Sequence, residues 1–195
     1  MVILDGKKLA DKILTNLRVR GKKIKLAVIL VGGDPVSQIF INQKRKACKK
    51  VGVGFELFKF SAEVRPPLLK EEIKKIVDNS ANSGVIIQLP LPQKFNTEEF
   101  LNLIPPKKDV DVLSEESFKK FAEEESAFLP PVVGAILILF KNYRIKIKNK
   151  NIVIVGGGRL VGKPLAAWLK IQKVKFSALD KNSKNIFSHT KEADI

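Results

Sequence analysis

Nine residues constrain this chain more than any others: Gly84-Val85-Ile86-Ile87-Gln88-Leu89-Pro90-Leu91-Pro92. Val85-Ile86-Ile87 is short, apolar and β-branched throughout, the pattern of a parallel strand covered on both faces. Gln88 follows at its carboxyl end, and ligands in open α/β sheets lie just beyond the carboxyl ends of strands. Two prolines two residues apart then end the pairing and set a stiff exit. Gln88 is therefore expected as an amide on rigid backbone at the lip of a cleft. A solvated strand end is the plainer alternative, and the stretch alone leaves both open.

The rest of the first part repeats one alternation. A helix is expected over 7–19, with Leu9, Ile13, Leu14 and Leu17 on its apolar face and Gly21 ending it. A strand follows over 26–31, then a turn at Gly32-Gly33-Asp34-Pro35 and a helix over 36–51. On that helix Ser37, Phe40, Lys44 and Cys48 are spaced by three, four and four residues and share a face. A lysine between an aromatic and a cysteine is out of place in a core stripe. It is either a lysine snorkelling along apolar surface or a partly buried amine that handles protons. A third strand over 54–61, a helix over 68–79 and the 84–88 strand complete a three-layer α/β pattern. A short helix from Thr97 follows. The loop Pro105-Pro106-Lys107-Lys108-Asp109-Val110-Asp111 then carries two carboxylates in alternation, which in an extended segment face the same way. A further helix is expected over 114–125.

Residues 128–134, with Pro130-Pro131, read as a linker before an apolar helix over 135–143. A strand over 151–155 runs into Gly156-Gly157-Gly158-Arg159-Leu160-Val161-Gly162-Lys163-Pro164 and a helix reaching about 172. Strand, glycine loop and helix together present backbone N–H groups and a helix N-terminus to a phosphate. A strand over 174–179 ends at Asp180, where an acid can bond a ribose hydroxyl. Ala193-Asp194-Ile195 reads as the start of one more strand, so the cofactor sheet is expected to be cut short here. The only histidine, His189, is expected at the surface. With one His and one Cys, neither a zinc site nor a Ser/Cys–His catalytic group has support.

Charge enters as a constraint on partners. The 195 residues carry a net charge of +16, from 36 basic residues of which 30 are Lys and 6 Arg. Readers of base edges favour Arg, whose fork pairs bidentately with guanine, and the lysines are scattered rather than clustered. Nucleic acid is thus a minor alternative, and small anionic ligands fit better. No apolar run is long enough for a membrane helix, and one cysteine suits a reducing cytoplasm.

In order, Asp5-Gly6-Lys7, Val31-Gly32 with Asp34-Pro35 and Ser37, Phe40 through Lys44-Arg45-Lys46-Ala47-Cys48, Gln88-Leu89-Pro90-Leu91-Pro92, Lys108-Asp109-Val110-Asp111 and Val161-Gly162-Lys163-Pro164 resemble the bifunctional methylenetetrahydrofolate dehydrogenase/cyclohydrolase family. The resemblance spans the chain. It implies an α/β fold of two domains: a folate-binding catalytic domain over 1–129 and the first part of a Rossmann-like NAD(P)-binding domain over 130–195. It implies oxidation of 5,10-methylenetetrahydrofolate with NAD(P)+ and hydrolysis of the product to 10-formyltetrahydrofolate, in a cytoplasmic homodimer. Lys44 would be the catalytic lysine, Gln88 its holder and Asp111 a pterin contact. Ser37, Phe40, Leu89 and Pro90 would meet the substrate. Gly156, Gly157, Gly158, Arg159, Val161, Gly162 and Asp180 would meet NADP or NAD, and no metal is implied. Phe40 stands where the family usually has tyrosine, so the ring can stack but lacks the phenol. Val112 replaces a usual glycine, and Gly157-Gly158 replace a usual Arg-Ser that helps hold a cofactor phosphate. With Asp180, that points toward NAD. The second reading is a non-catalytic folate-binding fragment.

Overall fold

The computed structural model describes residues 3–17 and 23–195. Its contacts divide the chain into two units. One holds Asp5–Val110 and Ser114–Ser117; the other holds Asp111–Leu113 and Phe118–Ile195, with Ile3 and Leu4.

The first unit is built on a three-stranded parallel sheet. Its strands are β1 (Lys25–Val31), β2 (Gly54–Phe60) and β3 (Gly84–Ile87), in the order β2-β1-β3. Five consecutive β1 residues, Ala27 to Val31, are buried, as a central strand covered on both faces requires. Helices α1 (Gly6–Asn16), α2 (Pro35–Val51) and α3 (Pro66–Asp78) supply the alternation. The expected Gly21 terminator lies outside the described residues; α1 is closed by the Leu17 N–H donating to the Ile13 carbonyl. Asp5 caps α1 and Asp34 caps α2, each through a carboxylate accepting a backbone N–H of the first turn. Lys108 donates to the carbonyls of Val77 and Asn79 at the end of α3, where a cation is electrostatically favoured. Helix α4 (Thr97–Leu101) buries Phe100 edge-on against Phe95, with ring centroids 5.4 Å apart.

Helix α5 (Glu115–Ala122) begins in the first unit and ends in the second. The second unit continues with α6 (Pro131–Asn142), β4 (Ile152–Val155), α7 (Gly162–Ile171), β5 (Phe176–Leu179) and α8 (Ile186–Lys191). Strands β4 and β5 are parallel, with Ile152 opposite Phe176 and Val155 opposite Leu179. Val112, Phe121, Val133, Ile152, Ile154, Trp168 and Leu169 form its core.

Residues 131–134 are not linker. Proline is favoured in the first turn of a helix, so Pro131 opens α6, and Val133 is fully buried. No strand is assigned over 193–195, but two backbone bonds lay Asp194 and Ile195 beside β4 and the residue before it. The Val153 N–H donates to the Ile195 carbonyl at 2.9 Å, and the Asp194 N–H to the Asn151 carbonyl at 2.8 Å.

Candidate active site

The spacing along α2 places its residues as the helical period requires, but with unequal exposure. Ser37 and Cys48 are buried, Lys44 is half-buried, and the Phe40 ring is 57% exposed. Gln88 directly follows β3 and its N–H continues the ladder by donating to the Ile29 carbonyl at 2.8 Å. The Lys44 ammonium donates to Gln88 Oε1 at 3.3 Å. The same amide donates through Nε2 to the Leu89 carbonyl at 2.8 Å, so both of its ends are engaged and its orientation is fixed. Gln88 is 8% exposed. In this structure the Lys44 head group is directed at the largely buried Gln88 amide.

Ser37 is 1% exposed, and its hydroxyl donates to the Leu89 carbonyl at 3.3 Å. The Ser37 side chain is thus engaged by the fold itself in this structure. It ties α2 to the carbonyl that also receives the Gln88 amide. Asp34 extends the chain of bonds by accepting the Ser37 N–H at 2.7 Å. Hydrogen bonding from Ser37, side chain first and backbone second, holds the Asp34 carboxyl below the usual carboxylate range. Leu89 is half-buried, Pro90 is exposed, and the bond joining them is cis. Phe40 offers an open apolar face of the kind an aromatic ligand ring can stack on.

The 105–111 segment is a turn, not the extended stretch on which two alternate carboxylates would share a side. The N–H groups of Lys108 and Asp109 both donate to the Pro105 carbonyl. Asp109 is 2% exposed and accepts the Ser114 N–H at 2.8 Å. It also pairs beside Val85, securing the edge of β3. Asp111 is half-buried and groups with the second unit.

In the second unit the glycine loop is shaped by two different demands. Gly156 has φ +100, a left-handed value that side chains rarely adopt, and its N–H donates to the Leu179 carbonyl at 2.7 Å. At Gly162, a Cβ would lie 1.7 Å from the Gly156 carbonyl oxygen, so only glycine lets α7 start this close to the loop. Gly157 and Gly158 have open space around them, and their N–H groups make no hydrogen bond within the described chain. Lys163 sits in the first turn of α7 over the Phe118 ring, 4.5 Å from its centroid. A cavity of about 680 Å3 is lined by Gly156, Gly157, Gly162, Lys163, Ala166 and Ala167 among others. Free N–H groups, a helix N-terminus and a lysine fit the phosphate end of a dinucleotide. Lys163 was not singled out in the sequence; its place one residue into the helix after the last loop glycine was the available signal. Arg159 and Val161 are exposed. Asp180 directly follows β5, next to the carbonyl that Gly156 engages. Its Oδ1 accepts from the Asn182 N–H at 2.9 Å and the Ser183 hydroxyl at 3.0 Å, which fixes the carboxylate on its own turn. His189 is exposed on α8, and among the described residues no cluster could hold a metal ion.

Two family patterns cover this architecture: the tetrahydrofolate dehydrogenase/cyclohydrolase catalytic domain matches residues 4–111, and the NAD(P)-binding domain of the same family matches 130–195. The chain belongs to the tetrahydrofolate dehydrogenase/cyclohydrolase family. It is 36% identical over 203 residues to the bifunctional protein FolD of Mycoplasma mycoides, matching all of this chain and 70% of that protein. Identity to FolD of Aquifex aeolicus is 37% over 203 residues, with the same shares. The crystal structure of the bifunctional FolD methylenetetrahydrofolate dehydrogenase/cyclohydrolase of Campylobacter jejuni superposes with a TM-score of 0.93 at 31% identity, covering all of this chain and 72% of that one. A two-domain α/β fold is thus common to this chain and the family.

Proposed function

We propose that this chain oxidises 5,10-methylenetetrahydrofolate to 5,10-methenyltetrahydrofolate with NAD(P)+ and hydrolyses the product to 10-formyltetrahydrofolate. Family membership supports both reactions, and the observation that carries the residue assignment is Lys44 held by the buried Gln88 amide. NAD(P)+, when bound, accepts the hydride. The residues suited to holding its phosphates are Gly157, Gly158 and Lys163, at the start of α7. In the hydrolysis, water attacks the one-carbon bridge, loses a proton, and the bond to one of the two ring nitrogens breaks. Lys44 is the group placed to relay that proton, and Gln88 fixes its ammonium in position. Phe40 stacks on the folate, Leu89 and Pro90 shape the wall beside it, and Asp111 binds the pterin. The sequence boundary of the catalytic domain is put at 129/130, although the contacts group residues 118–129 with the second unit; the enzyme works as a cytoplasmic homodimer.

Lys44→Met tests the assignment. Hydrolysis should fall by at least about 100-fold, the scale of a positioned acid–base group, while the circular dichroism spectrum stays unchanged. Undiminished hydrolysis in a folded variant would remove Lys44 from the mechanism.

We also propose a preference for NAD over NADP. A carboxylate at position 180 accepts a free ribose hydroxyl and repels an added phosphate, and Gly157-Gly158 offer no side chain to hold that phosphate. Comparing kcat/KM with the two cofactors checks this, and a clear preference for NADP defeats it.

A further inference from the structure

The second unit carries a cationic feature that neither reaction uses. From residue 126 to residue 179 the chain has ten basic residues, Lys141 to Lys175, and no Asp or Glu. Four of these lysines line one cavity of about 730 Å3: Lys148, Lys150, Lys173 and Lys175. The other lining residues are Ile147, Asn149, Gln172 and Val174, so no carboxylate lines it. Lys150 is already held, donating to Asp194 at 2.9 Å. Lys148, Lys173 and Lys175 make no ion pair among the described residues.

The topology fixes where this cavity lies. Residues 147–150 directly precede β4 and residues 172–175 directly precede β5. The two strands are parallel, so both segments emerge at their amino ends. The glycine loop leaves β4 at its carboxyl end. The lysine cavity is therefore at the other end of the strands from the phosphate-facing loop.

We propose that this cavity binds a small ligand carrying two or more phosphate groups. Three unpaired lysines line the cavity without an acid to cancel their field, which favours a multiply charged anion over a singly charged one. Lysine binds phosphate as a compact point charge, and the side chains lining the cavity are otherwise neutral. The Asn149 and Gln172 side-chain amides make no hydrogen bond within the described chain and are available to orient the ligand. The volume is that of a small-molecule site.

Inorganic tripolyphosphate is the probe, titrated calorimetrically into the full chain at about physiological ionic strength. Three variants decide the matter: Lys148→Gln/Lys175→Gln in the cavity, Lys163→Gln at the glycine loop, and Lys46→Gln/Lys49→Gln on α2. Each double variant removes the same charge from exposed positions, and circular dichroism checks that all remain folded. The expected result is at least a 10-fold loss of affinity in the cavity variant alone. Equal losses in both double variants would mean diffuse attraction to net charge. A loss confined to Lys163→Gln would place the anion at the glycine loop. Either result overturns the proposal, as does a chain that does not bind the probe.

Discussion

Lys44 and Gln88 are 44 positions apart, and one hydrogen bond between them gives the site its direction. A buried hydrogen bond to a charged group contributes about 1.5–3 kcal/mol. Gln88→Ala should therefore lower the rate of hydrolysis by roughly 10- to 100-fold with a smaller change in KM, because the lysine remains but is no longer aimed. Steady-state kinetics on both reactions checks this; a raised KM with kcat unchanged would mean that Gln88 only binds substrate. The sequence placed Lys44 on an apolar helix face and Gln88 after a buried strand but left the role of each open; that they meet was not legible. Nor was the part of Ser37. Its burial depends on the carbonyl of Leu89, 52 positions away, and no local pattern encodes that contact. Val112 is a second such residue: it has φ +55 yet is only 3% exposed. A left-handed β-branched residue costs about 1–2 kcal/mol, and burying a valine returns about 1.5–3 kcal/mol. Val112→Gly should thus lower stability slightly, by about 1 kcal/mol, measured by urea denaturation; a marked gain would show that strain outweighs burial.

At the scale of elements, the strands and their order along the chain follow from period and composition, whereas two boundaries do not. Pro130-Pro131 reads as a break, yet a proline at the first helical position costs no hydrogen bond, so α6 starts there. The 105–111 loop reads as extended, but bonds to the Pro105 carbonyl fold it into a turn in which Asp109 is buried. The glycine loop shows the opposite case, in which similar letters carry unlike roles. Gly162→Ala forces a Cβ into the Gly156 carbonyl and should cost about 1–3 kcal/mol, as overpacking does. Gly158→Ala meets open space and should change stability by less than about 0.5 kcal/mol. Thermal denaturation of the two variants separates them, and equal melting temperatures would show that the close approach of α7 to the loop is not needed for the fold.

For the whole molecule, two carboxylates and one thiol set opposite limits on stability against pH, with Lys75 a further contribution on the alkaline side. Asp34, bonded by Ser37, and Asp194, bonded by Lys150 and the Asn151 N–H, titrate below the usual carboxylate range. Their folded-state pKa values lie below those of the unfolded chain, so their stabilisation is complete above about pH 4 and is lost as pH falls through the lowered values. Protonated Asp34 no longer caps α2 as an anion, which loosens the helix that carries Lys44. Burial raises the Cys48 thiol above its ordinary value. A group held neutral by folding binds its proton more tightly in the native state, so its contribution is complete below about pH 8.5 and is lost as pH rises through the raised value. Stability should therefore be flat between about pH 5 and pH 8 and decline on both sides. The acid side should weaken in Asp34→Asn, whose amide side chain no longer titrates. The alkaline side should flatten in Cys48→Ala, at the cost of a small core cavity. Native Cys48 should also resist a thiol reagent at pH 8 and react once denaturant opens the core. Urea midpoints across pH check the profile, and an alkaline decline unchanged in Cys48→Ala would assign that limb to Lys75, whose pKa the Glu72 hydrogen bond raises.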